Sequence, residues 1–495
     1  MSPTTTPTTP TSWPLDDPTL LIDRALVDGE WRPARTGATM ATADPATGMP
    51  IAQVPMMDEL DARDAIEAAA RAFGPWASTT AFERRAILAR WCALIEAHNE
   101  DLARLLTREQ GKPLAEARGE VQIAADYVGW FAEEAVRARG ETVPSPWPKA
   151  RLSTLRQPVG VCAAITPWNF PSSMVTRKVA PALAAGCTIV LKPAERTPHS
   201  AFALAQLALR AGVPRGVFNV VTGDPKAIGT EMCTNRSVRK LSFTGSTPVG
   251  RLLMGQVAPT LKRISLELGG NAPFIVFDDA DLEGAVQGAM VSKYRNAGQT
   301  CVCANRIFVQ RGIFDAFSRR YAEAVRGLVV GAGGQPGVHI GPLIDEKALS
   351  KVEAHVADAR ALGAEVLVGG RRHALGGTFY EPTVIVGATP RMRVYAEETF
   401  GPVSPLFPFD SEDEVIRLAN DAEHGLAAYF YTHDLGRAHR VAEALATGMV
   451  GINTGMITTV AAPFGGIKQS GIGREGGAYG LEEFMDVKYV CTAGL

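Results

Sequence analysis

From Met57 to about Glu134, apolar residues recur three and four positions apart: Ala62, Ile66, Ala69 and Phe73, then Ile87, Trp91, Leu94, Ile95 and Leu102, with charged residues between them. That spacing predicts amphipathic helices, interrupted at Gly111-Lys112-Pro113. After Gly140 the prolines Pro144, Pro146 and Pro148 lead into the alternation Leu152-Ser153-Thr154-Leu155, which predicts a hairpin arm. Short β-rich runs then alternate with helical ones: Gly160 to Ile165, Thr188 to Leu191, Val217 to Val221 and Lys240 to Phe243, with helices expected after Pro198 and Pro225. Such alternation predicts a parallel sheet of α/β type. A second series runs from Pro273-Phe274-Ile275-Val276 to about Asn453, so a second α/β domain is expected, and a last strand-like run covers Val487 to Cys491.

With 495 residues, 46% of them hydrophobic, the chain can bury more than one core. Lys plus Arg (50) nearly balances Asp plus Glu (52), which removes the bulk attraction for nucleic acid or an anionic membrane and points to a small-molecule partner. The longest apolar stretch, around Val179 to Leu191, is shorter than the roughly 20 residues that span a bilayer. The opening, Met1 to Pro14, is rich in Thr and Pro without the pattern of a secretory or transit signal, and reads as a disordered tail on a cytoplasmic protein. Seven scattered cysteines without CxxC spacing suit a reducing compartment and offer no metal site.

The chemistry concentrates in two segments. Asn296 to Arg306 reads NAGQTCVCANR, a small-residue turn that delivers Cys301 just before a helix or loop. A thiol titrates near 8.5, so a nucleophilic cysteine needs N–H dipoles, a cation or an adjacent base. No histidine is near in sequence, and the candidate base is Glu267 in LELGGNAP, where Gly269 and Gly270 let backbone pass close to a reacting centre. Taken singly, a cysteine is more often a small buried hydrophobe, and a glutamate before two glycines a surface residue.

Taken together, these two signatures, in this order and spacing, resemble the aldehyde dehydrogenase superfamily from Leu26 to the end. The resemblance implies a Rossmann-like cofactor-binding domain, an α/β catalytic domain and a small β oligomerisation arm. On that pattern residues 1–18 are a tail, 19–138, 159–267 and 457–478 bind NAD(P), 268–456 are catalytic, and 139–158 with 479–495 form the arm of a homodimer or homotetramer. Thr166, Pro167 and Trp168 would line the cofactor site, and the Asn169 amide would hold an oxyanion. Lys192 and Glu195 would hold the adenosine ribose, Gly245 and Ser246 the pyrophosphate at a helix start, and Glu398 and Phe400 the nicotinamide side. The implied reaction is NAD(P)-dependent oxidation through a thioester on Cys301, hydrolysed by water that Glu267 activates. Lys178 and Glu475 would relay protons, an exposed ion pair being the competing reading. The Glu195 carboxylate favours NAD, with NADP also allowed.

Within the superfamily the nearest likeness is to succinate-semialdehyde dehydrogenases, carried by Asn169 through Cys187, Tyr294-Arg295-Asn296, Cys301-Val302-Cys303 and the ending Lys488-Tyr489-Val490-Cys491. It implies an aldehyde with a terminal carboxylate, gripped by Arg177 and Arg295. Thr458 stands where these enzymes commonly carry a serine, which keeps glutarate semialdehyde in competition. Cys303, two residues past the nucleophile, is a candidate redox switch. A non-redox thiol hydrolase and a non-catalytic structural protein are the readings from other classes.

Overall fold

The computed structural model describes residues 14–494. Most of the tail expected over 1–18 lies outside the described residues. Its last part is tied down, a correction to that boundary: the Asp16 and Asp17 N–H groups each donate to the Asp101 carboxylate at 2.8 Å, and Leu15 packs on the first core. Composition could not signal an acceptor 84 residues away.

The long helical pattern resolves into α1 (Glu59–Ala77), α2 (Ala81–Ala97), α3 (Asn99–Gln110) and α4 (Leu114–Ala135). Capping boxes at Asp58/Asp61 and Thr80/Glu83 start α1 and α2, and Gly111 in the left-handed conformation (φ 93°) ends α3 before Pro113 redirects the chain. α5 (Ser173–Ala185) is buried along its whole length and stops at Gly186, φ 94°. The apolar stretch of the sequence is therefore the end of one buried helix and the strand Thr188–Lys192 after it. Among the described residues no helix is long and apolar enough to cross a membrane.

An eight-stranded sheet forms the first layer, in the order Glu30–Arg32, Ala25–Val27, Phe218–Val220, Thr188–Lys192, Val161–Ile165, Val238–Thr244, Arg263–Glu267, Gly471–Ile472. The five from Phe218–Val220 to Arg263–Glu267 are parallel, and antiparallel strands close both edges. From Val161–Ile165 the chain first builds toward one edge and then returns to add Val238–Thr244 on the other side. That reversal opens a crevice at the carboxyl ends of these two strands, where open α/β sheets bind ligands.

The second sheet runs Glu365–Val368, Thr383–Val386, Val403–Phe409, Ala304–Gln310, Ala272–Val276, Ala427–Tyr431, Met449–Ile452 around its own apolar core. A third pairs Met485–Ala493 with Ala150–Pro158 and Thr142–Val143, leaving Leu155, Val487 and Tyr489 exposed. The hairpin Thr39–Ala43/Pro50–Pro55 and the edge pair Ala25–Val27/Glu30–Arg32 lay outside the sequence reading, because strands this short carry too few alternations to register.

Candidate active site

Ala272–Val276 and Ala304–Gln310 are parallel neighbours, so the loops that precede them meet at one end of the second sheet. One loop holds Gly269 and Gly270, the other Cys301. A Cβ on Gly270 would stand 2.2 Å from the Cys301 carbonyl oxygen, so only glycine allows the approach. A strand, and not the expected helix or loop, follows Cys301, since Ala304 already joins the ladder. Asn296 and Ala297 adopt left-handed backbone (φ 53° and 55°), and the Asn296 N–H donates to Glu116 Oε2 at 2.8 Å. Asn169 Nδ2 donates to Gln299 O at 3.0 Å, leaving its second N–H for another acceptor.

Glu267 ends the strand Arg263–Glu267 and is buried, neither carboxyl oxygen having a hydrogen-bond partner among the described residues. Burial pushes its carboxyl well above the ordinary range, Glu475 adds to this, and Lys178 and Arg177 oppose it. The Cys301 thiol is pushed up to about 12 by burial and by Glu398, with Arg177 opposing.

Half-buried Cys301 stands where two hollows join. On one side, a groove of about 630 Å³ follows the crevice of the first sheet past Pro167, Trp168, Asn169, Gly245, Ser246, Glu398 and Phe400. Ser246 starts the helix Thr247–Val257 without a side-chain cap, so its first N–H groups stay open to an anion. Thr166 and Thr244 hydroxyls are buried without partners. Phe400, itself left-handed (φ 56°), stands edge-on to Trp168 at 5.6 Å. The Gly270 N–H donates to Glu398 Oε1 at 3.0 Å, and burial raises that carboxyl to about 7. Beyond the groove, buried Lys192 pairs with the partly exposed Glu195. A groove with open helix-start donors, orphaned hydroxyls and an aromatic end beside a thiol fits a nicotinamide dinucleotide.

On the other side lies a cavity of about 220 Å³, mostly apolar, lined by Phe170, Met174, Arg177, Arg295, Thr458 and Phe464 among others. The Arg177 guanidinium lies between the rings of Tyr127 (4.9 Å) and Phe464 (4.3 Å), and its Nε and Nη1 have no hydrogen-bond partner. Its one ion pair, to Glu475 Oε2, is long at 3.5 Å. Arg295 lies 5.3 Å over Phe170. An arginine beside an apolar cavity, without a hydrogen-bond partner among the described residues, is able to pair with an anion there.

A family model described as the aldehyde dehydrogenase family matches residues 31–490. The chain belongs to the aldehyde dehydrogenase family. It is 58% identical to a 3-sulfolactaldehyde dehydrogenase of Pseudomonas putida (97% of this chain, 99% of that one). It is 57% identical to the succinate-semialdehyde dehydrogenase [NADP(+)] GabD of Escherichia coli K12 (96% and 99%), and 56% identical to a glutarate-semialdehyde dehydrogenase of Pseudomonas aeruginosa (97% and 100%). A crystal structure of an aldehyde dehydrogenase from Brucella melitensis biovar abortus superposes with a TM-score of 0.96 at 58% identity, covering 97% of this chain and 99% of that one.

In this aldehyde dehydrogenase the Lys178–Glu475 pair is not exposed, as one reading of the sequence had it. Both side chains are buried, Lys178 Nζ reaching Glu475 Oε1 at 2.5 Å and Ser242 Oγ at 3.0 Å. All seven cysteines are free, and Cys303 points its thiol at the Lys293 and Ala304 carbonyl oxygens, 3.6 Å from each. Sequence reasoning missed Lys112, Glu116 and Glu120, three charged residues around the floor of the site. A lysine at a helix break and glutamates four apart read as a solvated face, and nothing in their local pattern announces burial.

Proposed function

We propose that the enzyme oxidises a short aldehyde carrying an anion at its far end, succinate semialdehyde foremost, to the diacid. The observation that carries this reading is an arginine, Arg177, that lines a cavity opening on Cys301 and has no hydrogen-bond partner among the described residues. Cys301 Sγ adds to the aldehyde carbon while the free N–H of Asn169 and the Cys301 backbone N–H hold the oxyanion. Burial raises both the Cys301 thiol and the Glu267 carboxyl, so the Glu267 carboxylate is a strong enough base to take the thiol proton, and the Glu475–Lys178 pair offers the onward path. Ser246, Glu398, Trp168 and Phe400 would hold a nicotinamide dinucleotide, which would supply the hydride acceptor needed for the Cys301 thioester. Glu267 then deprotonates a water that attacks the thioester carbon, releasing the acid and the Cys301 thiol.

A second reading of the anion has support of its own. Guanidinium donors and the Thr458 hydroxyl serve a sulfonate as well as a carboxylate, and one close relative is named for a sulfonated aldehyde. The test is a panel of aldehydes of graded length with a terminal carboxylate, a sulfonate or no charge, followed by reduced-nicotinamide absorbance. The reading expects the four-carbon carboxylate to have the highest kcat/KM. A preference for uncharged aldehydes overturns the anion site, and a preference for the five-carbon acid or the sulfonate reassigns its occupant.

Cofactor choice turns on Glu195. Its carboxylate opposes a 2′-phosphate, but the Lys192 ammonium beside it cancels part of that repulsion. Both cofactors are therefore used, NAD the better. Glu195→Gln shifts the kcat/KM ratio toward NADP by about tenfold, the equivalent of 1.4 kcal/mol, and an unchanged ratio removes Glu195 from the argument.

A further inference from the structure

Beneath the site, the joint between α3 and α4 carries a buried charge cluster that the proposed chemistry does not use. Lys112 Nζ, fully buried, donates to Glu120 Oε2 at 2.5 Å and to the Asn169 carbonyl at 2.8 Å, and lies 3.9 Å over the Phe170 ring. The other oxygen of Glu120 accepts the N–H groups of Ser172 (2.9 Å) and Ser173 (3.3 Å), where the chain enters α5. One turn earlier on α4, Glu116 holds the Asn296 N–H, and the Asn296 side chain donates at 2.9 Å to the same Asn169 carbonyl. The cluster thus grips the loop of Asn169 from below and the left-handed turn of Asn296 and Ala297, which leads to Cys301, from the side.

Burying a lysine and a glutamate costs free energy that an apolar pair of the same shape would not incur. Here the charges meet backbone groups of the two loops whose relative position the reaction needs. The Asn169 carbonyl accepts from the Lys112 ammonium and the Asn296 amide, and the Asn169 amide donates to Gln299 O, so both ends of the residue are held. Lys112 lines neither the cavity nor the groove and so acts through Asn169, whereas Glu116 and Glu120 also reach the cavity wall, which is why KM for the semialdehyde is measured alongside kcat.

We propose that Lys112, with Glu120 as its counter-ion, is a positioning residue that holds the Asn169 amide where the oxyanion forms, and that Glu116 holds the Cys301 loop in the matching place. The proposal rests on the reading of Asn169 as the oxyanion donor. Misplacing a reacting group by about 1 Å costs on the order of 100-fold in rate. Lys112→Met combined with Glu120→Met removes both charges together, so neither is left buried alone.

The experiment is a double-mutant cycle on kcat, with semialdehyde and cofactor KM values and thermal midpoints measured for each protein. The Lys112→Met/Glu120→Met protein is expected to lose about 100-fold in kcat with KM for both substrates within about threefold. The same pair added to Asn169→Ala is expected to lose little more, because the amide it positions is gone. Glu120→Gln, which keeps the acceptor for Ser172 and Ser173, gives a smaller loss that also vanishes in the Asn169→Ala background, and it carries the test if the double variant does not fold. Losses that add fully to that of Asn169→Ala, or an unchanged kcat, overturn the proposal while leaving Asn169 in its role. Full activity of Asn169→Ala by itself overturns the reading underneath.

Discussion

Replacing Arg177 by methionine isolates the anion site, because the longer apolar stem keeps contact with Tyr127 and Phe464 while the guanidinium is lost. The change leaves Glu475 paired with Lys178 at 2.5 Å, and the ion pair it removes is the long one at 3.5 Å. The guanidinium lines the cavity and has no hydrogen-bond partner among the described residues, so a bound carboxylate can take two of its N–H groups. Each charge-assisted hydrogen bond contributes about 1.5–3 kcal/mol. Their joint loss is about 3–6 kcal/mol, or roughly 100- to 20,000-fold in kcat/KM. The assay compares succinate semialdehyde with butanal, which has the same carbon count and no charge. The semialdehyde is expected to take the larger loss, mainly in KM, while butanal loses only the smaller kcat effect of a missing positive charge near Cys301 and Glu267. Equal losses for the two aldehydes would mean that Arg177 supports the fold or the chemistry and not the anion, and the substrate assignment would fall with it.

Two further outcomes follow from the same geometry. Because burial holds the Cys301 thiol up to about 12, its thiolate fraction rises roughly tenfold per pH unit throughout the neutral and alkaline range, so alkylation by iodoacetamide in the cofactor-free enzyme should accelerate with pH without a plateau below about pH 9; a plateau near neutrality would show a thiol already activated at rest. Gly270→Ala places a Cβ 2.2 Å from the Cys301 carbonyl oxygen. It should cut kcat by on the order of 100-fold with native-like circular dichroism, and near-normal turnover would refute the packing that sets the nucleophile loop.

Much of the site was legible because its chemistry clusters along the chain. Cys301 with Glu267 and the glycine pair, the Trp168-Asn169 turn and the Glu398-Thr399-Phe400 run each carry a local signature, and the structure lines one groove with Trp168, Asn169, Gly269, Cys301, Glu398, Thr399 and Phe400, while Glu267 is buried outside that lining. The helical pattern before Glu134 also resolved as periodicity predicts, with the break at Gly111. What stayed hidden depends on contacts far apart in sequence. Lys112 reaches Asn169 across 57 positions, and Lys178 reaches Glu475 across 297, so neither burial nor partner leaves a trace in local spacing. The docking of Asp16 and Asp17 on Asp101 was missed for the same reason. Left-handed backbone at Ala297 and Phe400 is imposed by tertiary packing against residue preference, whereas Asn296 is a residue type that tolerates it.

The central claim is that Cys301 becomes acylated and Glu267 clears it. Glu267→Gln, assayed at alkaline pH where some Cys301 thiolate forms without a base, should release one equivalent of reduced nicotinamide per active site in a burst and then nearly stop, because hydrolysis lacks its base. Peptide mass spectrometry after that burst is the deciding measurement. The account predicts the acyl group on the peptide carrying Cys301, at that sulfur; steady turnover without a burst, or an acyl group on Cys303 or nowhere, would contradict it.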